Sequence, residues 1–438
     1  MIKCLIFFTM AAVAFAADPL PLSLKRAVEI ATSPEGNTNV QLSGEAAKVA
    51  EARSAQARAA LLPDLNASLV ERDQTVNLAA MGVKFNLPIP GFSFPRLVGP
   101  FTVMDARLSV ADNVLDLASF RRFQASKSGV AAARAEITNV DNAVAGQVAR
   151  SYLAAVKADT DLETAEANII LGQAVLKQAE DQKAAGTGTG IEITRAKVQL
   201  ADDEQRRVQA ANNRRAARLR LLRAMGMRLD TEIQLTDRLE FKPVDAVTLD
   251  AARAQALKDR PDLKAQQERE HTAELSTSAT KLERLPTVQA FGDYGSIGAG
   301  FDSNLPTRTY GVQLKIPVFD SGRRSAKLAE SASQYRQEKV RTNDLKEQVE
   351  LDVRLALDEL KSAEDEVKVA TEGLGLAENE LAQARRRYDA GVAGSLEVTD
   401  AQTRLERARD NRTAALYAHN VARVDLAQAM GQVRSVWQ

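Results

Sequence analysis

Glu397 and Asp400 stand three apart in the stretch YDAGVAGSLEVTDAQ (388–402), just after Gly391 and Gly394 break a long helical run. That spacing puts both carboxyls on one face of a new helix. Ser395 reads as the N-cap of that helix, and acids in a first turn complement the helix dipole. Few other residues suggest chemistry. His271 and His419 are isolated on helical stretches, which argues against a metal site. GTGTG (186–190) lacks the Gly-Lys-Ser/Thr of a phosphate loop and reads as a turn, with Gly186, Gly188 and Gly190 supplying its flexibility. No nucleophile–base arrangement suggests catalysis, and no cofactor signature is visible. The basic run RRAARLRLLR (214–223) is balanced by nearby acids and reads as a solvated helix face.

Whole-chain charge agrees. Lys+Arg and Asp+Glu both number 58 in 438 residues, which gives no electrostatic reason to expect a nucleic-acid partner. The opening MIKCLIFFTMAAVAFAAD has a basic start, an apolar stretch and a small-x-small site, the pattern of a secretory signal peptide over 1–16. Its removal takes Cys4, the only cysteine. No other segment reaches the ~20 apolar residues of a membrane-spanning helix, so a spanning role requires strands.

The elements that position the two acids are repeated. AAGTGTGIEITRAKVQL (184–200) aligns with DAGVAGSLEVTDAQTRL (389–405), placing Gly186 on Gly391, Glu192 on Glu397 and Leu200 on Leu405. The same shift carries Ala224-Met225-Gly226 onto Ala429-Met430-Gly431. LLPDLNA (61–67) pairs with RLPTVQA (284–290), and NVLDLASFRR (113–122) with PVFDSGRRSA (317–326). The first repeat spans 17–245, with strands near 64–72 and 101–112, long helices near 118–185 and 191–226, and an equatorial linker. The second spans 246–438, with strands near 286–295 and 308–318 and helices near 322–390 and 395–431.

No proline interrupts the chain between Pro100 and Pro243 or after Pro317, so both tracts can hold long helices. From Val353 through Ala356, Leu360, Ala363, Val367, Ala370, Leu374, Ala377, Leu381 and Ala384 to Tyr388, steps of three and four alternate. This is a heptad seam in which large residues alternate with alanine, suited to close antiparallel helices. In the strands, Tyr310, Val312, Leu314, Ile316 and Val318 alternate with smaller or polar residues, as do Met104, Ala106, Leu108 and Val110. Four strands cannot close a barrel, and open edges cannot face lipid, so several chains must share one. Three copies give an even, twelve-stranded count.

Duplicated helix–hairpin–helix units, the LPDLNA/LPTVQA pair, PVFDSGR and AG…SLEVTDAQ together resemble the TolC-type outer-membrane efflux channel family across nearly the whole chain. The resemblance implies a mainly α fold with a small β part. Long antiparallel hairpins would form a periplasmic α-barrel, and four strands per chain a transmembrane β-barrel shared by a homotrimer. It implies a passive exit duct, not an enzyme, in the outer membrane, working with a periplasmic adaptor protein and an inner-membrane transporter in efflux or type I secretion. Both tip turns, with Gly186, Gly188, Gly190, Gly391, Gly394 and Ser395, would meet the adaptor. Glu397 and Asp400 match acids that ring the family's narrow entrance, and Tyr388 matches a tyrosine that helps tie it shut. The basic residue that the family can place soon after the tip glycine is absent, Ala393 occupying the spot. A periplasmic adaptor or another coiled-coil scaffold is the alternative reading.

Overall fold

The computed structural model describes residues 19–82, 95–244, 247–300 and 302–434. The expected signal peptide, and most of the loop joining the first two long strands, lie outside them. The described chain forms two compact units. One comprises Ala46–Arg134 and Ala265–Asn343; the other comprises the chain up to Glu45, Ala135–Lys264 and the chain from Asp344. Each draws on both sequence repeats.

The first unit holds a four-stranded antiparallel sheet: β2 (Asp64–Asn77), β3 (Leu97–Leu115), β5 (Thr287–Gly298) and β6 (Leu305–Lys315), side by side in that order. The pair β3–β5 joins one repeat's hairpin to the other's. The register pairs Leu65 with Val110, Leu108 with Tyr294 and Gly292 with Tyr310. Because side chains alternate faces, Leu65, Ala67, Leu69, Met104, Ala106, Leu108, Tyr294, Tyr310, Val312 and Leu314 share one face. The other carries Asn66, Ser68, Asp105, Arg107, Ser109, Asp293, Thr309 and Gln313, and there Arg107 is paired with Asp105 and Asp293.

β2 and β3 run several residues beyond the apolar alternation, because hairpin pairing continues through polar residues such as Asp73, whose carboxylate accepts from Thr102 Oγ1 at 2.6 Å. β6 begins and ends three residues earlier than the alternation indicates. Its ladder stops at the pair Thr287–Lys315, between Pro286 and Pro317, which have no N–H to donate. Ile316, Val318 and Phe319 therefore lie beyond the pairing and are exposed. The helical part of this unit includes α2 (Thr38–Ala59, from Ala46) and α6 (Pro261–Leu282, from Ala265). It is tied by side chains that reach backbone: Ser128 Oγ donates to Glu268 O at 3.0 Å, and Thr277 Oγ1 to Ser331 O at 2.9 Å.

The second unit is helical around a small two-stranded sheet, β1 (Leu20–Leu22) parallel to β4 (Ile233–Leu235). Here α1 (Leu24–Ala31) and α5 (Leu249–Asp259) flank four long helices: α3 (Leu117–Ala184, from Ala135), α4 (Gly190–Met225), α7 (Arg323–Asp389, from Asp344) and α8 (Ser395–Ala429). At 1.5 Å per residue, α3 and α7 are each about 100 Å long. The heptad seam is buried: Val349, Val353, Leu360, Ala363, Val367, Leu381, Ala384 and Tyr388 on α7 pack with α8 residues such as Val398, Leu405, Leu416 and Leu426. Tyr152 anchors the N-terminal strand, its hydroxyl donating to Leu22 O at 2.8 Å. The basic run at 214–223 is less solvated than its composition suggests. Leu221 and Leu222 are buried, and Arg214 and Arg218 both reach the Asp159 carboxylate, at 2.7 and 2.8 Å.

Candidate entrance gate at the hairpin tips

Both hairpins turn by the same device. Gly186 and Gly391 take φ of +78° and +70°, a left-handed conformation that glycine adopts without steric cost. At the first tip Gly186 N–H donates to Lys183 O and Thr187 N–H to Gln182 O, both at 3.0 Å. At the second, Gly391 N–H donates to Tyr388 O and Val392 N–H to Arg387 O, again at 3.0 Å. These are helix C-caps of one type at matching repeat positions.

The next helices begin differently. Thr189 caps α4, and Glu192 reaches back so that its Oε2 accepts from Thr189 N–H at 2.8 Å. In the second repeat Gly394, not Ser395, is the N-cap. Ser395 is the first helical residue, and its buried Oγ has no hydrogen-bond partner among the described residues. The chain reaches the cap conformation on glycine, so the serine hydroxyl is turned inward and cannot cap. Glu397, the counterpart of Glu192, pairs with Arg387 Nε at 3.0 Å across the same hairpin. Asp400 is exposed, one turn further along the same face.

Tyr388 packs with Leu381, Ala384, Val398 and Ala401, and is 7% exposed. Burial, together with the charges of Glu192 and Asp389, raises its pKa, so the phenol stays neutral. Its hydroxyl has no partner among the described residues. Next to it, Asp389 Oδ1 accepts from Gln178 Nε2 at 2.5 Å, joining α7 to α3, and Arg404 pairs with Glu380. The tip thus presents exposed acid, a buried tyrosine and polar ties between helices, one of which joins the two hairpins.

Residues 252–432 match the family model described as outer membrane efflux protein. Over 431 residues the chain is 28% identical to the pyoverdine export outer membrane protein OpmQ of Pseudomonas putida, covering 93% of this chain and 85% of that one. The chain is thus similar to outer membrane efflux proteins, through the family model in its second half and through this relative over most of its length. It is also 21% identical over 323 residues to the alkaline protease secretion protein AprF of Pseudomonas aeruginosa, covering 72% of this chain and 67% of that one. The fold is that of the Campylobacter jejuni CmeC outer membrane channel, with a TM-score of 0.80 at 16% identity over 94% of this chain and 86% of that one. It is equally that of CusC, with a TM-score of 0.79 at 18% identity over 93% and 92%.

Within this fold Tyr388, Glu397, Asp400, Gly391, Gly394 and Ser395 lie together at the second tip, while Gly186, Gly188 and Gly190 form the first. The histidines lie apart from both. His271 is exposed beside Glu274, and fully buried His419 faces the Phe241 ring with centroids 4.7 Å apart. Sequence reasoning missed Gln178, Arg387 and Asp389, which sit in a charged helical surface and have no periodic mark of their own.

Proposed function

We propose that this chain is the outer-membrane channel of a tripartite export system, assembled as a homotrimer and coupled through a periplasmic adaptor to an inner-membrane transporter. The observation that carries this is the four-stranded sheet. Among the described residues it has one apolar face, one polar face and two unpaired edges, β2 and β6. Along β6 that apolar face is bare, with Tyr310 82% and Val312 72% exposed. Lipid satisfies that face, but only another strand satisfies the edges. Three copies close twelve strands with the polar face inward.

The helical hairpins then wall an aqueous path, and the tips of α3–α4 and α7–α8 form its periplasmic entrance. Glu397 and Asp400, repeated around the axis, favour cations and repel anions. Energy comes from the transporter, and opening requires the hairpins to part at the tip. The relatives' names span pyoverdine, alkaline protease and, at 25% identity, toluene. That spread supports a duct whose cargo is chosen by its partners.

The test is fractionation followed by planar-bilayer recording of the detergent-purified protein. An oligomer extracted from the outer membrane that carries ionic current is expected. Monomeric protein without current refutes the reading.

A further inference from the structure

Where α4 passes α8, one layer of the helical wall is built from carboxyls. Asp203 on α4 and Glu406 on α8 are each 1% exposed. Asp203 Oδ1 accepts from Gln199 Nε2 at 3.1 Å, while its buried Oδ2 has no hydrogen-bond partner among the described residues. That oxygen lies against α3 at Gly172, where an added Cβ would come within 3.1 Å of it. Glu406 accepts from Arg206 Nη1 at 2.6 Å and from Gln402 Nε2 at 3.4 Å.

A cavity of about 400 Å³, lined by α3, α4 and α8, runs past Asp203 and gives protons a route to the pair. The other charged groups on these elements are mostly engaged. On α3, Lys157 is paired with Asp161 at 2.6 Å. On α8, Arg409 donates to Asn168 at 3.1 Å, and Asp410 lines the same cavity. On α4, Asp202 precedes Asp203 and adds a further negative charge. Arg206 is therefore the direct counter-ion of the layer, one cation for two buried carboxyls. An ionised carboxylate oxygen held out of water without a donor is costly. Two close carboxylates avoid that cost by retaining a proton.

We propose that Asp203 and Glu406 form a proton-binding site joining the first hairpin to the second: the protonated pair holds α4 against α8, and release of the proton to solvent loosens that seam. Burial is the largest influence on both groups and raises both pKa values. For Asp203 it outweighs Gln199 and Arg206; for Glu406 the charge of Asp203 adds to it. The folded protein therefore keeps a proton that the unfolded chain has lost. The contribution to stability is fully present at acid pH. It falls as pH rises from the ordinary carboxylate value through the raised one, then levels off. Applied to gating, acid tightens the seam and neutral pH favours opening. That last step rests on the channel reading; the proton site does not.

The test compares the intact protein with Asp203→Asn, a neutral isostere, by thermal unfolding in detergent near pH 4.5 and pH 8. The variant should melt about 2–4 °C above wild type at the higher pH and together with it at the lower. An equal offset at both pH values overturns the proposal. Infrared titration of wild type serves even if that variant does not assemble. A protonated-carboxyl band that persists above the ordinary carboxylate range and is diminished in Glu406→Gln supports the site; its absence from wild type, or full intensity in that variant, overturns it. In planar bilayers, wild-type open time should rise several-fold from the lower to the higher pH, and the Asn variant should stay at its acid level. An equal rise in the variant overturns the gating step, whereas no current from any protein refutes the channel reading and leaves the proton site to the melting and infrared results.

Discussion

Replacing Tyr388 by Phe removes a hydroxyl that is buried yet has no hydrogen-bond partner among the described residues. A buried polar group in that condition carries a penalty of about 1–3 kcal/mol. Losing it should leave the tip as stable as wild type or more stable by about 1 kcal/mol, a factor of roughly five in the closed-to-open ratio. The ring is another matter. It fills a cluster with Leu381, Ala384, Val398 and Ala401, where truncation to Ala costs about 3–5 kcal/mol through lost burial and the cavity left behind. Paired single-channel recordings separate the two contributions. Tyr388→Phe should show the wild-type closed fraction or a larger one, and Tyr388→Ala a markedly leakier entrance. If the Phe variant leaks like the Ala variant, the hydroxyl is bonded to a residue of a neighbouring copy. Packing of the ring within one chain is then not what holds the tip.

Gly391→Ala should destabilise the second tip by about 1–2 kcal/mol, read as a lower melting temperature. The added Cβ meets no atom within 4 Å, so the cost is that of φ +70° alone. Glu397→Ala with Asp400→Ala should abolish block of the current by divalent and trivalent cations; block at the wild-type level assigns both acids to the helix dipole instead. Val312→Arg, on the bare apolar face of an edge strand, should cost about 2–4 kcal/mol in lipid and reduce the oligomer recovered from outer membranes. The same change at Gln313, on the polar face, should be tolerated.

The long helices were legible because their signal is redundant. One missing position in the run from Val353 to Tyr388 would not have hidden the period, and the absence of proline set outer limits on its length. The tip turns were legible because glycine at a left-handed φ is nearly obligatory, and the repeat shows it twice, at Gly186 and Gly391. Strand ends were less so. Alternation marks which residues face apart, but pairing stops where a backbone donor is missing. Pro286 and Pro317 therefore limit the β5–β6 ladder, and exposed Val318, read as strand from its place in the alternation, lies outside it.

What stayed hidden is polar chemistry between the repeats. Gln178 meets Asp389 across 211 residues, and Arg206 meets Glu406 across 200. Each would be unremarkable on a solvated face, and a seam read from alanine and leucine says nothing about which polar residues are enclosed when one hairpin meets the next. The duplication also explains why these pairs have no internal counterpart. Shifted by the repeat, Asp203 falls on Ala408 and Glu406 on Ala201, so the carboxyl layer occurs once per chain where the repeats alone would place it twice. A symmetric pair of hairpins has no reason to move one against the other. Asp203 and Glu406 break that symmetry at one contact, where a proton-dependent seam can let one hairpin move while the other stays fixed.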